Sequence, residues 1–142
     1  MSSLKRHRAL SRIWASDPGW KGWFTTVNHT DLGRMFLTVA VFFFVVGGVL
    51  AMLIRAQLAT PRSAFLGPEH YNQVFTMHGT IMMFLFAIPV FEGFAVYLLP
   101  KLLGSRDLAF PRLTAYGFWC YVFGGSMMIF SLLWGIAPDS GW

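Results

Sequence analysis

The sequence predicts an all-α integral membrane protein with three transmembrane helices, and three observations carry that reading. Hydrophobic residues make up 56% of the 142 residues and charged residues only 12%, about half the charged share of an ordinary water-soluble domain. The mean hydropathy is +0.56. Apolar residues also gather into three charge-free runs, Met35 to Ile54, Val74 to Phe91 and Leu113 to Pro138. Each run is close to or longer than the ~20 residues that cross a hydrocarbon core.

Residues 1–34 form a basic segment ahead of the first span. Six of the eleven Lys and Arg residues lie there: Lys5, Arg6, Arg8, Arg12, Lys21 and Arg34. Trp14, Trp20 and Trp23 suit the headgroup region, and Pro18 with Gly19 breaks any long helix. The net charge of +5 does not indicate nucleic acid, because the cations cluster before a span instead of covering one polar face. The apolar run begins too late and runs too long for a cleavable signal peptide.

The first helix is expected over about 35–56, bracketed by Arg34 and Arg55. Gly47 and Gly48 in its second half permit close approach of another helix or of a flat ligand. Pro61, Gly67 and Pro68 punctuate the following loop. The second helix is expected over about 71–100, with a kink at Pro89. A short polar loop from Lys101 to Arg112 leads to a third helix over about 113–138, with Gly124 and Gly125 near its middle. The loop from Arg55 carries two cations and the loop from Lys101 carries three. Positive-inside then places the N-terminus and the second loop in the cytoplasm. Cys120 is the single cysteine, so no internal disulfide forms, and its apolar setting predicts a small buried residue.

Ionisable groups inside a span are costly and each needs a reason. His78 sits roughly 10 Å into the second helix. It is either a buried imidazole bonded to a neighbouring helix or an axial ligand of heme iron. Arg55 ends the first helix and is expected at a depth near His78, where it either holds a cofactor's oxygen or snorkels to the headgroups. Glu92 lies in the second span, as a proton-relay group or as the acceptor of a kink-stabilising hydrogen bond near Pro89. Asp107 in the second loop is by default a solvated acid or a helix cap. Met77, Met82, Met83, Met127 and Met128 read as packing.

The order of these pieces resembles subunit I of the heme-copper terminal oxidases, of the bacterial cytochrome c oxidase type. The residues carrying it are Thr26 to Gly33 (TVNHTDLG), Ile54 to Leu58 (IRAQL), Tyr71-Asn72, Phe75 to Thr80 (FTMHGT), Pro100, Asp107 to Arg112 (DLAFPR) and Gly141-Trp142. The resemblance runs from about Trp23 to the last residue. It implies the first three helices of a twelve-helix bundle, with residues 35–142 belonging to the oxidase domain. It also implies that His78 ligates a low-spin heme, of the a type, that Arg55 contacts that heme's formyl group and that Tyr71 lies near it. Asp107 matches the acidic mouth of a proton channel, with Glu92 a second proton site.

Three positions depart from the family pattern. Val96 and Thr114 stand where asparagines are usual, and Gln57 replaces a glutamate near an outer metal site, so no metal is expected there. The resemblance further implies electron transfer from cytochrome c, with quinol as the alternative donor, oxygen reduction to water and proton translocation. The partners implied are oxidase subunits II and III and the lipid of a bacterial inner membrane. The high-spin heme and copper ligands of the family match nothing in this chain, so an N-terminal fragment is expected, with no catalytic residue of its own. The reading from another class is a standalone three-helix heme-binding membrane protein.

Overall fold

The computed structural model describes residues 3–13 and 19–141; Trp14, Pro18 and Trp142 lie outside them. The elements are α1 (Ser3–Ile13), α2 (Trp20–Thr25), α3 (His29–Gln57), α4 (Pro68–Thr80), a π-helical stretch (Ile81–Ala87), α5 (Ile88–Leu102) and α6 (Pro111–Leu133). α4, the π stretch and α5 join into one helix of 35 residues, so among the described residues three helices are long and apolar enough to cross a membrane. The bundle has two ends. The near end holds the start of α3, the end of α5 and the start of α6. The far end holds the end of α3 and the start of α4.

α3 begins six residues ahead of the Met35 expected from hydropathy alone. The cause is a cap: Asn28 Oδ1 accepts the Thr30 N–H at 2.9 Å, and Asp31 sits in the first turn, where a negative charge meets the helix dipole. The polar residues His29 to Arg34 are thereby helical. α4 starts three residues earlier than expected because Pro68 suits the first helical turn.

α6 stops at Leu133, five residues short of the expected Pro138. Gly135 adopts φ 70°, and the Ile136 N–H reaches back to the Ser131 carbonyl at 3.0 Å, as at many helix ends closed by a left-handed glycine. The chain then folds back on α4. Gln73 Nε2 donates to the Gly135 carbonyl at 3.0 Å, and the Gly141 N–H donates to Thr76 Oγ1 at 2.9 Å. Ala137 is buried in the same cluster as Val74 and Met77.

The irregularity expected at Pro89 takes the form of the π stretch that leads into it. Pro89 has no N–H to offer the carbonyl four residues back, that of Leu85. The Tyr121 hydroxyl of α6 donates to that carbonyl at 2.6 Å. A backbone group freed by proline is thus satisfied from a neighbouring helix, as a membrane interior demands.

α3 is the centre of the bundle. It meets α5 backbone to backbone at Gly33 and Gly93 and meets α6 through rings. Phe118 stands edge-on to Phe36 with centroids 5.1 Å apart, Tyr121 stacks on Phe36 at 5.8 Å, and Phe43 lies over Gly125. The opposite face of α6 is exposed, including Tyr116, Phe123, Met127 and Phe130. Cys120 lies on this face and is exposed. That corrects the expectation of burial: its apolar run is apolar on all sides, and only one side finds a partner.

Candidate functional site

His78 lies in the last turn of α4, half-buried, with Nδ1 2.9 Å from the Gly47 carbonyl of α3. A carbonyl only accepts, so Nδ1 carries the proton of the neutral ring. Nε2 then keeps its lone pair, the form in which imidazole binds a metal. The two glycines of α3 divide their roles. A Cβ on Gly47 would fall 2.7 Å from Met82 Sδ and 3.4 Å from Ile81 Cγ2, so Gly47 lets the second span close on α3. That closeness brings the His78 ring to the carbonyl. A Cβ on Gly48 would meet nothing within 4 Å. The expectation of a helix contact or a flat ligand at this pair therefore splits by residue, with Gly47 taking the helix.

Arg55 is exposed in the last turn of α3. The hydrogen bond sets His78 level with Gly47, which lies roughly 12 Å along α3 from Arg55 at 1.5 Å per residue. This corrects the expectation of similar depths, since α4 starts at the far end with Pro68 and must descend nearly three turns before His78. Tyr71, in the first turns of α4, shares the far end with Arg55. It is half-buried, stacks on Phe75 with centroids 6.4 Å apart, and lines a cleft of ≈ 530 Å³ with Gln57, Leu66 and Asn72.

Gln57 shapes that cleft. Its Nε2 donates to the Ser63 carbonyl at 2.8 Å, and its Oε1 accepts the Leu66 N–H at 2.7 Å. Both ends of the amide are used by the loop, and a carboxylate could make only the second bond.

Of the two roles expected for Asp107, solvated acid or helix cap, the structure shows the cap, on α3. Asp107 Oδ1 takes the backbone N–H of His29 at 3.1 Å and lies 3.0 Å from His29 Nδ1. It thereby caps α3 from 78 residues away. His29 is the residue that sequence reasoning passed over, since nothing local in the sequence ties it to Asp107. Glu92 is exposed on α5 and makes no hydrogen bond among the described residues; the kink-stabilising role expected near Pro89 is filled by Tyr121. The structure does not bring Glu92 and Asp107 together. Val96 is 6% exposed and packs in the cluster with Leu32, Met35, Phe36 and Phe118. Thr114 Oγ1 turns to the Phe110 carbonyl at 3.2 Å.

Among the described residues no group of three or more His, Cys, Asp or Glu could enclose a metal ion. The donor set fits a group that needs one imidazole from this chain, as an axially ligated heme does. It does not fit an ion wrapped by side chains.

The structure is an all-helical bundle of the multi-span membrane class, with the His78 imidazole oriented within its second span. The chain belongs to the family described as Cytochrome C and Quinol oxidase polypeptide I, whose sequence profile matches residues 31–142. It is similar to cytochrome c oxidase subunit 1 of Corynebacterium efficiens, with 48% identity over 87% of this chain and 22% of that protein. The corresponding subunit of Bacillus subtilis is 47% identical over 84% of this chain and 19% of its own length. That of Alkalihalophilus pseudofirmus is 44% identical over 100% of this chain and 21% of its own length. The chain spans about a fifth of the length of these curated relatives.

Proposed function

We propose that this chain supplies the low-spin heme side of the catalytic subunit of a respiratory terminal oxidase. The subunit would pass electrons from cytochrome c to a heme-copper centre, where oxygen is reduced to water and protons are translocated. The observation that supports this best is the His78 Nδ1 to Gly47 carbonyl contact. It fixes the ring's orientation and tautomer and strengthens Nε2 as a donor. The family and the names of the relatives support the oxidase reading, and those names favour cytochrome c over quinol as donor.

When bound, the heme, of the a type, supplies a one-electron couple. His78 Nε2 would hold its iron. Arg55, at the far end, would hold the formyl group with its guanidinium fork. Tyr71 would lie near the heme. At the near end Asp107 is the proton entry, its carboxylate held on the start of α3 by the His29 N–H. Glu92 is a second proton site within the span. The near end faces the cytoplasm of a bacterial cell, by the excess of Lys and Arg there, and the subunit sits in the inner membrane with subunits II and III.

The test is His78→Ala in the purified holoprotein, read by reduced-minus-oxidised absorbance. The low-spin heme band should disappear. A band of unchanged position and intensity would overturn the ligand assignment.

A further inference from the structure

Arg34, Tyr97 and Lys101 converge at the near end, in an arrangement that neither the core nor the heme site uses. A Cβ on Gly33 would fall 2.7 Å from Tyr97 Cβ and 2.9 Å from the Gly93 carbonyl. The bare backbone at Gly33 therefore lays Tyr97 directly on α3, beside the next residue, Arg34. One turn further along α5, Lys101 Nζ stands 3.2 Å from the centroid of the Tyr97 ring. Arg34 also approaches the Tyr97 side chain. Both cations are exposed, and neither pairs with a carboxylate among the described residues.

Two cations that share one phenol repel each other. The ring face offsets part of that for Lys101, and an anion between them would offset the rest. The phenol hydroxyl adds a neutral donor at the same spot. Position narrows the choice of anion. Arg34 and Lys101 lie at the same end of two membrane-crossing helices, which is headgroup level. Below them the seam between α3 and α5 is apolar. It passes Leu37, whose Cγ would lie 3.1 Å from a Cβ on Gly93. It ends at the Phe44 and Phe86 rings, 4.7 Å apart. Val41 and Phe94 are exposed near it at 55% and 50%.

We infer that Arg34, Lys101 and the Tyr97 hydroxyl bind the phosphate of an anionic phospholipid whose acyl chain lies along the α3–α5 seam. The guanidinium fork and the ammonium take the phosphate oxygens, and the seam takes the chain. The site depends only on the membrane-spanning character of the helices and does not rest on the heme assignment.

The experiment is native mass spectrometry of the intact membrane protein carrying this chain, titrated with phosphatidylglycerol, phosphatidylcholine or inorganic phosphate. Phosphatidylglycerol should bind in preference to phosphatidylcholine, and millimolar phosphate should not displace it. The double variant Arg34→Gln/Lys101→Gln should lose roughly tenfold in phosphatidylglycerol affinity. Tyr97→Phe keeps the packing on Gly33 and guards against loss of fold; it should weaken binding about threefold. Unchanged affinity in both variants overturns the site. Displacement by phosphate alone overturns the lipid as its occupant, and so does a face found covered by other parts of the protein.

Discussion

Where α3 crosses α5, glycine meets glycine and the two backbones touch. Where α3 meets α6, Phe36 and Phe43 reach across to Phe118, Tyr121 and Gly125. The first contact is rigid, because the atoms facing Gly33 are a carbonyl and a Cβ. The second is adjustable, because the atom facing Gly125 is the far end of a phenyl ring. In a membrane, burying apolar surface between helices provides little drive, so close packing and satisfied polar groups carry association. The comparison teaches that α3 and α5 are locked by shape, whereas α6 is held by rings and by one hydroxyl.

The sharpest way to break that comparison is at Gly33. Gly33→Val should destabilise the bundle by about 3 kcal/mol, since overpacking against backbone leaves nothing to swing aside. Gly48→Val, on the same helix facing open space, should cost under ~0.5 kcal/mol. Equal losses in a denaturant titration of the two variants would contradict the packing assigned to α3 and α5. Gly125→Ala should cost about 1–2 kcal/mol, less than Gly33→Val, because the Phe43 ring can turn away. Phe43→Leu in that background should recover part of the loss, and no recovery would mean that the ring is not the obstacle.

Tyr121→Phe keeps the ring stack and removes only the hydroxyl that donates to the Leu85 carbonyl at 2.6 Å. A loss of about 1 kcal/mol is expected; a neutral result would show the carbonyl satisfied within the π stretch. A further effect falls outside both contacts, in the far loop. Gln57→Glu should cost under ~1 kcal/mol and speed amide exchange across residues 58–66, because the Ser63 carbonyl loses its donor. Exchange rates equal to those of the wild type would remove Gln57 from the loop's structure.

Much of the bundle could be read in advance. Three spans follow from three uncharged runs, and the basic N-terminal segment follows from where the cations lie. Helix ends are less legible, because hydropathy marks the apolar core of a span and not its caps: Asn28 adds polar turns to α3, and Gly135 ends α6 inside an apolar stretch. The candidate site was half legible. His78 stands out as an imidazole in a span. Its partner Gly47 does not, because a carbonyl is present at every residue and only the close approach of two helices selects one. The pairing of Asp107 with His29 had no sequence signal for the same reason.

The sequence by itself determined the class of structure, since a bilayer favours long, nearly uncharged stretches that cross it with backbone groups paired internally. It also determined the family, through motifs distributed across all three spans. What the tertiary structure decided was the division of labour within identical-looking pairs. Of Gly47 and Gly48, one carries a helix contact and one faces open space; Gly124 and Gly125 divide in the same way. Helix periodicity sets adjacent residues about 100° apart, so one of each pair turns toward a neighbour and the other away. Which of the two does so depends on where the neighbouring helix lies, and that is a property of the packed bundle.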